Sequence, residues 1–490
     1  MRQRIVEALT LFALVAAGCG EKSNGAGPTG TAGTTGGAGT TGSGGTTGNA
    51  GTSGGAGTSG GAGTSGGAGN GIAGNTGAAG TTGAGGSAIA GATGSGGAAA
   101  CGEDCGTSCT IPALPAFSAL PSNSKLPDPF LMLSGTRITS RSEWPCRRAE
   151  TAAQLQNYET GRKNPTPPGA VTGSFASNRL TVNVLGKSFS VMITLPSGTG
   201  PFPAVVYLDG SQLSGTISGM GVASIAFDTN SMANQSGMRG SGSFYTITGG
   251  DGSSGALIGW AWGVSRIIDA LEVTPAAKID PKRIGVTGCS RNGKGALVVG
   301  AFDERIALTI PQESGSGGTA SWRVSYAEDA SFGGTMSSHK VQTLDSAYGE
   351  QPWFGTALQQ FGTTANANKL PFDHHQLLGL VAPRGLLILE NTDYQWLGVN
   401  SVANAAAAGR KIFQGLGVPD NIGFSNSGHT HCGAIDSAES GFLRAFVQKF
   451  LLDNQTADTK AWRVSKAAFS GSNLTVDEAK WIDWTTPTLD

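Results

Sequence analysis

The chain has 490 residues and a formal net charge of −1, so it carries no charge excess that would draw nucleic acid or an acidic surface. Only 13% of residues are charged and 80 are glycine, against about a quarter charged in an ordinary globular chain. The imbalance is local: from Ser23 to Gly102 there is no Asp, Glu, Lys or Arg.

Arg2 and Arg4 precede a mostly apolar run from Leu9 to Ala17. The run is shorter than the about 20 apolar residues a membrane-spanning helix needs and reads as an export signal over residues 1–18. It ends Ala16-Ala17-Gly18-Cys19, small residues before a cysteine, which is the pattern of a bacterial lipoprotein with Cys19 acylated. An ordinary secretory signal cut nearby is the alternative. Both readings export the protein, to the cell surface or outer membrane as a lipoprotein or into the medium. The lipid on Cys19 is the only membrane link expected. Residues 19–102 follow, with GTSGGA repeated from Gly51 to Ala68. Such a segment buries too little apolar surface to offset its chain entropy. It is expected to be a flexible linker with a span of roughly 50 Å.

The remainder, 103–490, has globular composition. Leu180–Leu185 and Phe189–Leu195 flank Gly186-Lys187 and predict a hairpin. Pro203–Asp209 and Val222–Asp228 read as short buried strands. Leu257, Trp260, Val264, Ile267, Ile268 and Leu271 recur at helical spacing. Strands are then expected at Arg283–Gly288, Ile306–Pro311, Arg384–Asn391 and Asn421–Asn426. Helices are expected at Lys294–Phe302, from Asn404 onward and at Phe442–Leu452. Strands alternating with helices predict an α/β fold with a mostly parallel sheet covered on both faces.

VTGCSRNGKGA, Val286 to Ala296, admits three chemistries. A phosphate loop needs Ser or Thr after Lys294 to hold magnesium, and Gly295 stands there. A strand ending in Gly288, then Ser290, then a small-residue helix fits the strand–turn–helix of an α/β-hydrolase nucleophile, although the second glycine, Gly293, comes one residue late. A redox role for Cys289 would need a reactive free thiol, which an exported protein does not favour.

A hydrolase base belongs late in the chain, after a strand. Among five histidines, those in Gly428-His429-Thr430-His431-Cys432 fit that place. A metal site built from His429, His431 and Cys432 is the rival, with no evident fourth ligand. If Ser290 must meet a histidine, their neighbours must meet too. Cys289 precedes Ser290 and Cys432 follows His431, so a Cys289–Cys432 disulfide would staple the two loops and select His431 as base. The orienting acid is left open between Asp393, the usual position, and Glu313, after the strand that follows the serine helix.

At these residues the chain resembles the glucuronoyl esterase family, carbohydrate esterase family 15. The likeness runs from Cys109 to Leu489 and includes VTGCSRNGKGA, IPQESGSGG, QTLDSAYGEQPWF, LPFDHH, APRGLLILENTDYQWLG and GHTHC. The resemblance implies an α/β-hydrolase fold, no metal or other cofactor, and cleavage of the ester between 4-O-methyl-glucuronic acid of glucuronoxylan and a lignin alcohol. By matching position, Ser290 is the nucleophile, His431 the base and Glu313 the acid, with Asp393 as backup. Arg291 matches the oxyanion-stabilising arginine. Lys294, Gln342, Glu350 and Trp396 match residues that hold the glucuronate ring. A Cys109–Cys146 disulfide is also implied, and the protein is expected to be a monomer. The chain departs from the family at Ser321, where the family has a cysteine, and near Asn404, where its partner is missing. Cys101 and Cys105 have no counterpart and are expected to pair with each other. The alternative functions are another carbohydrate esterase, such as an acetyl-xylan esterase, and a non-catalytic carbohydrate-binding lipoprotein.

Overall fold

In the computed structural model the described residues are 102–209, 211–465 and 476–490. The expectations for the export signal, Cys19, the linker repeats and Cys101 lie outside them.

Trp144–Leu155 forms the first helix, α1. Three antiparallel strands follow, Val171–Ala176 (β1), Arg179–Val184 (β2) and Lys187–Thr194 (β3). β2 and β3 are the expected hairpin. Its turn residues Leu185 and Gly186 have φ of 50° and 74°, the positive values a tight hairpin turn needs. β1 has no counterpart in the sequence reading, because VTGSFA carries too few apolar side chains to show an alternation.

Phe202–Tyr207 (β4) and Ala223–Ala226 (β5) lead to the helix Ala256–Glu272 (α2). Then come Ile279–Cys289 (β6), Arg291–Phe302 (α3), Ile306–Gln312 (β7), Trp322–Ser331 (α4) and Leu344–Glu350 (α5). The chain continues through Gly385–Asn391 (β8), Val399–Gly415 (α6), Ile422–Ser427 (β9), Ser437–Phe450 (α7) and Trp462–Arg463 (β10).

Among the described residues these strands form one sheet in the order β1-β2-β3-β5-β4-β6-β7-β8-β9-β10. It is parallel from β5 to β10 and antiparallel at the β1–β3 edge. Side chains alternate between its faces. Leu386 and Ile388 join the core with α2, α3 and α6, whereas Leu387 and Leu389 pack with Leu443, Phe446, Val447 and Phe450 of α7. Burying each of those four α7 side chains contributes about 1.5–3 kcal/mol. Both faces are thus covered, as the run of unbroken apolar strands required.

Several boundaries differ from expectation, among them the starts of α3 at Arg291 and α7 at Ser437 as well as those of β6 and α6. β6 starts at Ile279, with a register shift at Ile284/Gly285. α6 starts at Val399 rather than near Asn404 because its first amides are capped from another helix. The Glu328 carboxylate of α4 accepts from Asn400 N at 3.0 Å and Ser401 N at 2.8 Å. The expected Cys109–Cys146 bond is present. Where the resemblance left a disulfide missing, hydrogen bonds join α4 to α6: Ser401 Oγ donates to Ser321 O at 2.8 Å and lies 3.0 Å from Ser325 Oγ.

Candidate active site

In an open parallel sheet the ligand crevice lies beyond the carboxyl ends of the strands. The expected residues gather there. β6 ends at Cys289 and delivers Ser290; β7 ends at Gln312 and delivers Glu313; β8 ends at Asn391; the loop after β9 carries His429 and His431.

Ser290 sits between β6 and α3 with φ 58° and ψ −124°, a conformation that costs a non-glycine residue about 1–3 kcal/mol and collects at functional sites. The turn is held by Ser290 N donating to Gln312 O at 3.0 Å and Lys294 N to Ser290 O at 3.0 Å. It is tight enough that a Cβ at Gly288 would come 2.5 Å from Asn292 O, and one at Gly293 2.5 Å from Gln312 O. That explains Gly293: it lets α3 approach β7. The start of α3 presents amides without intrahelical partners toward the space beside Ser290.

The Cys289–Cys432 disulfide is present, with Cα atoms 5.7 Å apart. It keeps the Cα atoms of Ser290 and His431 within about 13 Å of each other. Among the described residues no hydrogen bond joins the two side chains, a looseness common in resting hydrolytic sites. Because the two sulfurs are bonded to each other, the grouping of Cys289, Glu313 and Cys432 offers no thiolate, and Cys432 drops out of the metal set weighed with His429.

Glu313 is fully buried and saturated with donors. One oxygen lies 2.7 Å from His431 Nδ1 and accepts from Asn391 Nδ2 at 3.1 Å; the other accepts from Cys432 N at 2.9 Å. Its backbone is also strained, with φ 48°, as is that of Cys432 at 56°. His431 is one-third exposed on its side chain and is buttressed by Tyr394, whose hydroxyl accepts from His431 N at 3.0 Å. His429 lies farther from the carboxylate: its Nδ1 is 3.7 Å from Glu313 and 3.0 Å from Thr430 O. Among the described residues no hydrogen bond joins the Asp393 carboxylate to either histidine.

A second carboxyl, Glu390, lies behind the first. Burial pushes it up to about 7, helped by the charge of Glu313 and opposed by its donors. One oxygen accepts from Ser314 N, Gly315 N and Thr319 Oγ1 at 3.0, 3.1 and 2.5 Å. It thereby fixes the turn that follows Glu313.

Lys294 is 3% exposed, deeper than its helical spacing from Ser290 suggests. Its ammonium donates to Ser314 O at 2.7 Å, Ser316 O at 2.6 Å and Gln342 Oε1 at 3.1 Å. A direct bond to a ligand therefore requires one of these to be shared. Burial brings its pKa down to about 8, against the charges of Glu350 and Glu390. Gln342 Nε2 donates to Glu350 Oε2 at 2.7 Å and Gln342 N to Trp396 O at 2.9 Å. The four residues expected on the sugar side are therefore one connected group, with Trp396 40% exposed at its edge. Arg291 stacks at 5.8 Å over the ring of Trp353, which Lys294 approaches at 5.6 Å.

Asn391, Tyr394, Trp353 and Glu390 were not singled out in the sequence. Three of them lie at the end of β8 or just beyond, and strand-end position was the available signal.

Comparison with known proteins places the chain among relatives. A family model described as glucuronyl esterase, fungi, matches residues 180–417. The chain is 44% identical over 393 residues to the 4-O-methyl-glucuronoyl methylesterase of Hypocrea jecorina, covering 78% of this chain and 80% of that protein. It is 43% identical to the Schizophyllum commune protein of the same name over 398 residues, 79% of this chain and 95% of that one. The solved glucuronoyl esterase catalytic domain from Hypocrea jecorina superposes with a TM-score of 0.69 at 43% identity, covering 78% of this chain and all of that one (100%). A serine-to-alanine mutant of the Sporotrichum thermophile glucuronoyl esterase, in complex with methyl 4-O-methyl-β-D-glucopyranuronate, gives a TM-score of 0.69 at 39% identity, with coverage of 78% and 100%.

Proposed function

The chain belongs to the glucuronoyl esterase family, whose members are carboxylic ester hydrolases, and from that premise we propose a Ser290–His431–Glu313 triad acting on the ester between 4-O-methyl-glucuronic acid of glucuronoxylan and a lignin alcohol. The observation that carries the triad is the 2.7 Å contact between His431 Nδ1 and the buried Glu313 carboxylate, the acid–imidazole pairing that assigns proton transfer to the other ring nitrogen. It also favours Glu313 over Asp393 as the acid.

His431 takes the proton of Ser290 as Oγ attacks the uronate C6 carbonyl. The tetrahedral oxyanion meets the first amides of α3 and the Arg291 guanidinium. His431 then protonates the departing alcohol. Water, deprotonated by the same imidazole, releases the uronic acid and restores Ser290. Glu313 holds the ring and balances its transient positive charge. Gln342, Glu350 and Trp396 offer donors, acceptors and an indole to the sugar hydroxyls, with Lys294 setting Gln342 from below. The disulfides Cys109–Cys146 and Cys289–Cys432 support work in an oxidising compartment outside the cytoplasm.

The test is acid release from benzyl glucuronate beside an acetylated xylan. Preference for the uronate ester is expected. Preference for the acetyl ester would make the enzyme an acetyl-xylan esterase on this fold, and no turnover of either ester would leave a binding protein.

A further inference from the structure

We propose that His339 is a positioning residue for the sugar side of the site, holding Gln342 and Glu350 in place through its imidazolium form; this rests on the reading that those two residues bind the uronate. His339 lies in the loop between α4 and α5, outside the triad. Its Nδ1 is 2.8 Å from Asp329 Oδ2 near the end of α4, and its Nε2 is 2.9 Å from Asp345 Oδ2 in the first turn of α5.

A neutral imidazole has one N–H and one lone pair. Between two carboxylates, the lone pair would face an oxygen of like charge density. Only the doubly protonated ring satisfies both contacts. The titratable groups around it are Asp329 and Tyr326 from α4 and Asp345 from α5, with Lys340 next in the loop. Tyr326 donates to Asp345 Oδ1 at 2.8 Å. The ring's burial acts to lower its pKa, but bonds to Asp329 and Asp345, and their charges, override it and hold His339 above the ordinary 6.5.

The clamp reaches the sugar-side group through short covalent paths. Asp329 Oδ1 also accepts from Lys340 N at 2.6 Å and Val341 N at 3.0 Å, the two residues before Gln342. Asp345 Oδ1 accepts from Thr343 Oγ1 at 2.6 Å, the residue after it. Gln342 is therefore pinned on both sides by carboxylates that His339 bridges. Asp345 lies in the first turn of the same short helix that ends in Glu350. Loss of the ring proton puts a lone pair against one carboxylate, loosens α5 from α4, and shifts Gln342 relative to Lys294 and Glu350.

The sign follows from the raised pKa. The clamp is intact below it and lost as pH rises through it, so KM for a uronate ester climbs on the alkaline side. The experiment is KM and kcat for benzyl glucuronate from pH 5 to 9 in wild type, H339Q, D345N and Q342A, with phenyl acetate as a sugar-free control. D345N keeps every contact with a neutral ring, because an amide nitrogen then donates to Nε2. Its KM is expected near the wild-type acidic value, with a flatter alkaline rise. H339Q is expected to raise KM roughly 3- to 10-fold at acidic pH, the range for one or two lost hydrogen bonds, with the gap to wild type closing on the alkaline side. In both variants kcat and phenyl acetate turnover should change less than about two-fold. Lys294, at about 8, titrates in the same range, and its share of the rise persists in D345N. A D345N curve that superimposes on wild type overturns the proposal, even if H339Q fails to fold. Q342A with unchanged KM overturns the sugar-side reading and the proposal with it. Q342A with raised KM beside a wild-type D345N curve overturns the proposal alone.

Discussion

The two halves of the proposed site are built from different bonds. On the reaction side, Ser290, Glu313 and the His431 loop are tied by strand ends and by the Cys289–Cys432 bond across 143 residues. On the proposed sugar side, Lys294, Gln342, Glu350 and the Trp396 turn are tied by hydrogen bonds and charge, with His339 bridging two carboxylates. A covalent link is indifferent to pH and sensitive to reductant; a charge network is the reverse. Rate and affinity should therefore respond to different perturbations.

The largest effect should come from removing the proposed nucleophile. Ser290→Ala is expected to lower kcat for benzyl glucuronate by at least about 10⁴-fold, with circular dichroism unchanged; near-wild-type turnover would remove Ser290 from the mechanism. Next, Glu313→Ala should cost about 10²–10⁴-fold in kcat, and Asp393→Ala less than tenfold, in parallel steady-state assays. The reverse order would move the acid to Asp393.

Breaking the staple should separate the two sides. Replacing both Cys289 and Cys432 by Ala should destabilise the fold by up to about 5 kcal/mol on loop-entropy grounds, measured by urea unfolding, and lower kcat more than it raises KM. A larger change in KM would show that the sides are not independent.

The smallest effect concerns Glu390, which lies where the two sides meet. Its folded pKa of about 7 lies above the ordinary carboxyl value of 4.5, so folding takes up a proton in that window. Its favourable contribution is complete below 4.5 and is lost as pH rises through about 7. Glu390→Gln should flatten the fall in melting temperature across that range. An identical slope in the variant would show that Glu390 is not the group responsible.

Much of this was legible in the chain. Unbroken apolar runs such as Leu386–Leu389 are buried on both faces and announce a parallel sheet, and Gly288-x-Ser290 between strand and helix announced the elbow. The acid was not legible by position, since Asp393 and Glu313 both follow strands; burial and contact with His431 separate them. Helix α6 was misplaced by several residues because its cap, Glu328, lies more than 70 positions away (a separation of 72). The resemblance implies that Lys294 holds the sugar ring, but its ammonium is directed at carbonyls of the turn after Glu313.

What the sequence determined by itself is what depends on near neighbours: periodicity, turn chemistry, and which residue types follow each strand. Adjacency even reached one long-range fact, because cysteines flanking Ser290 and His431 had to meet if those residues did. Only the tertiary structure decided which carboxylate meets the imidazole, how deep Lys294 sits, and that His339 lies between two acids. Those outcomes are set by distances between segments far apart in the chain, and no local pattern encodes them.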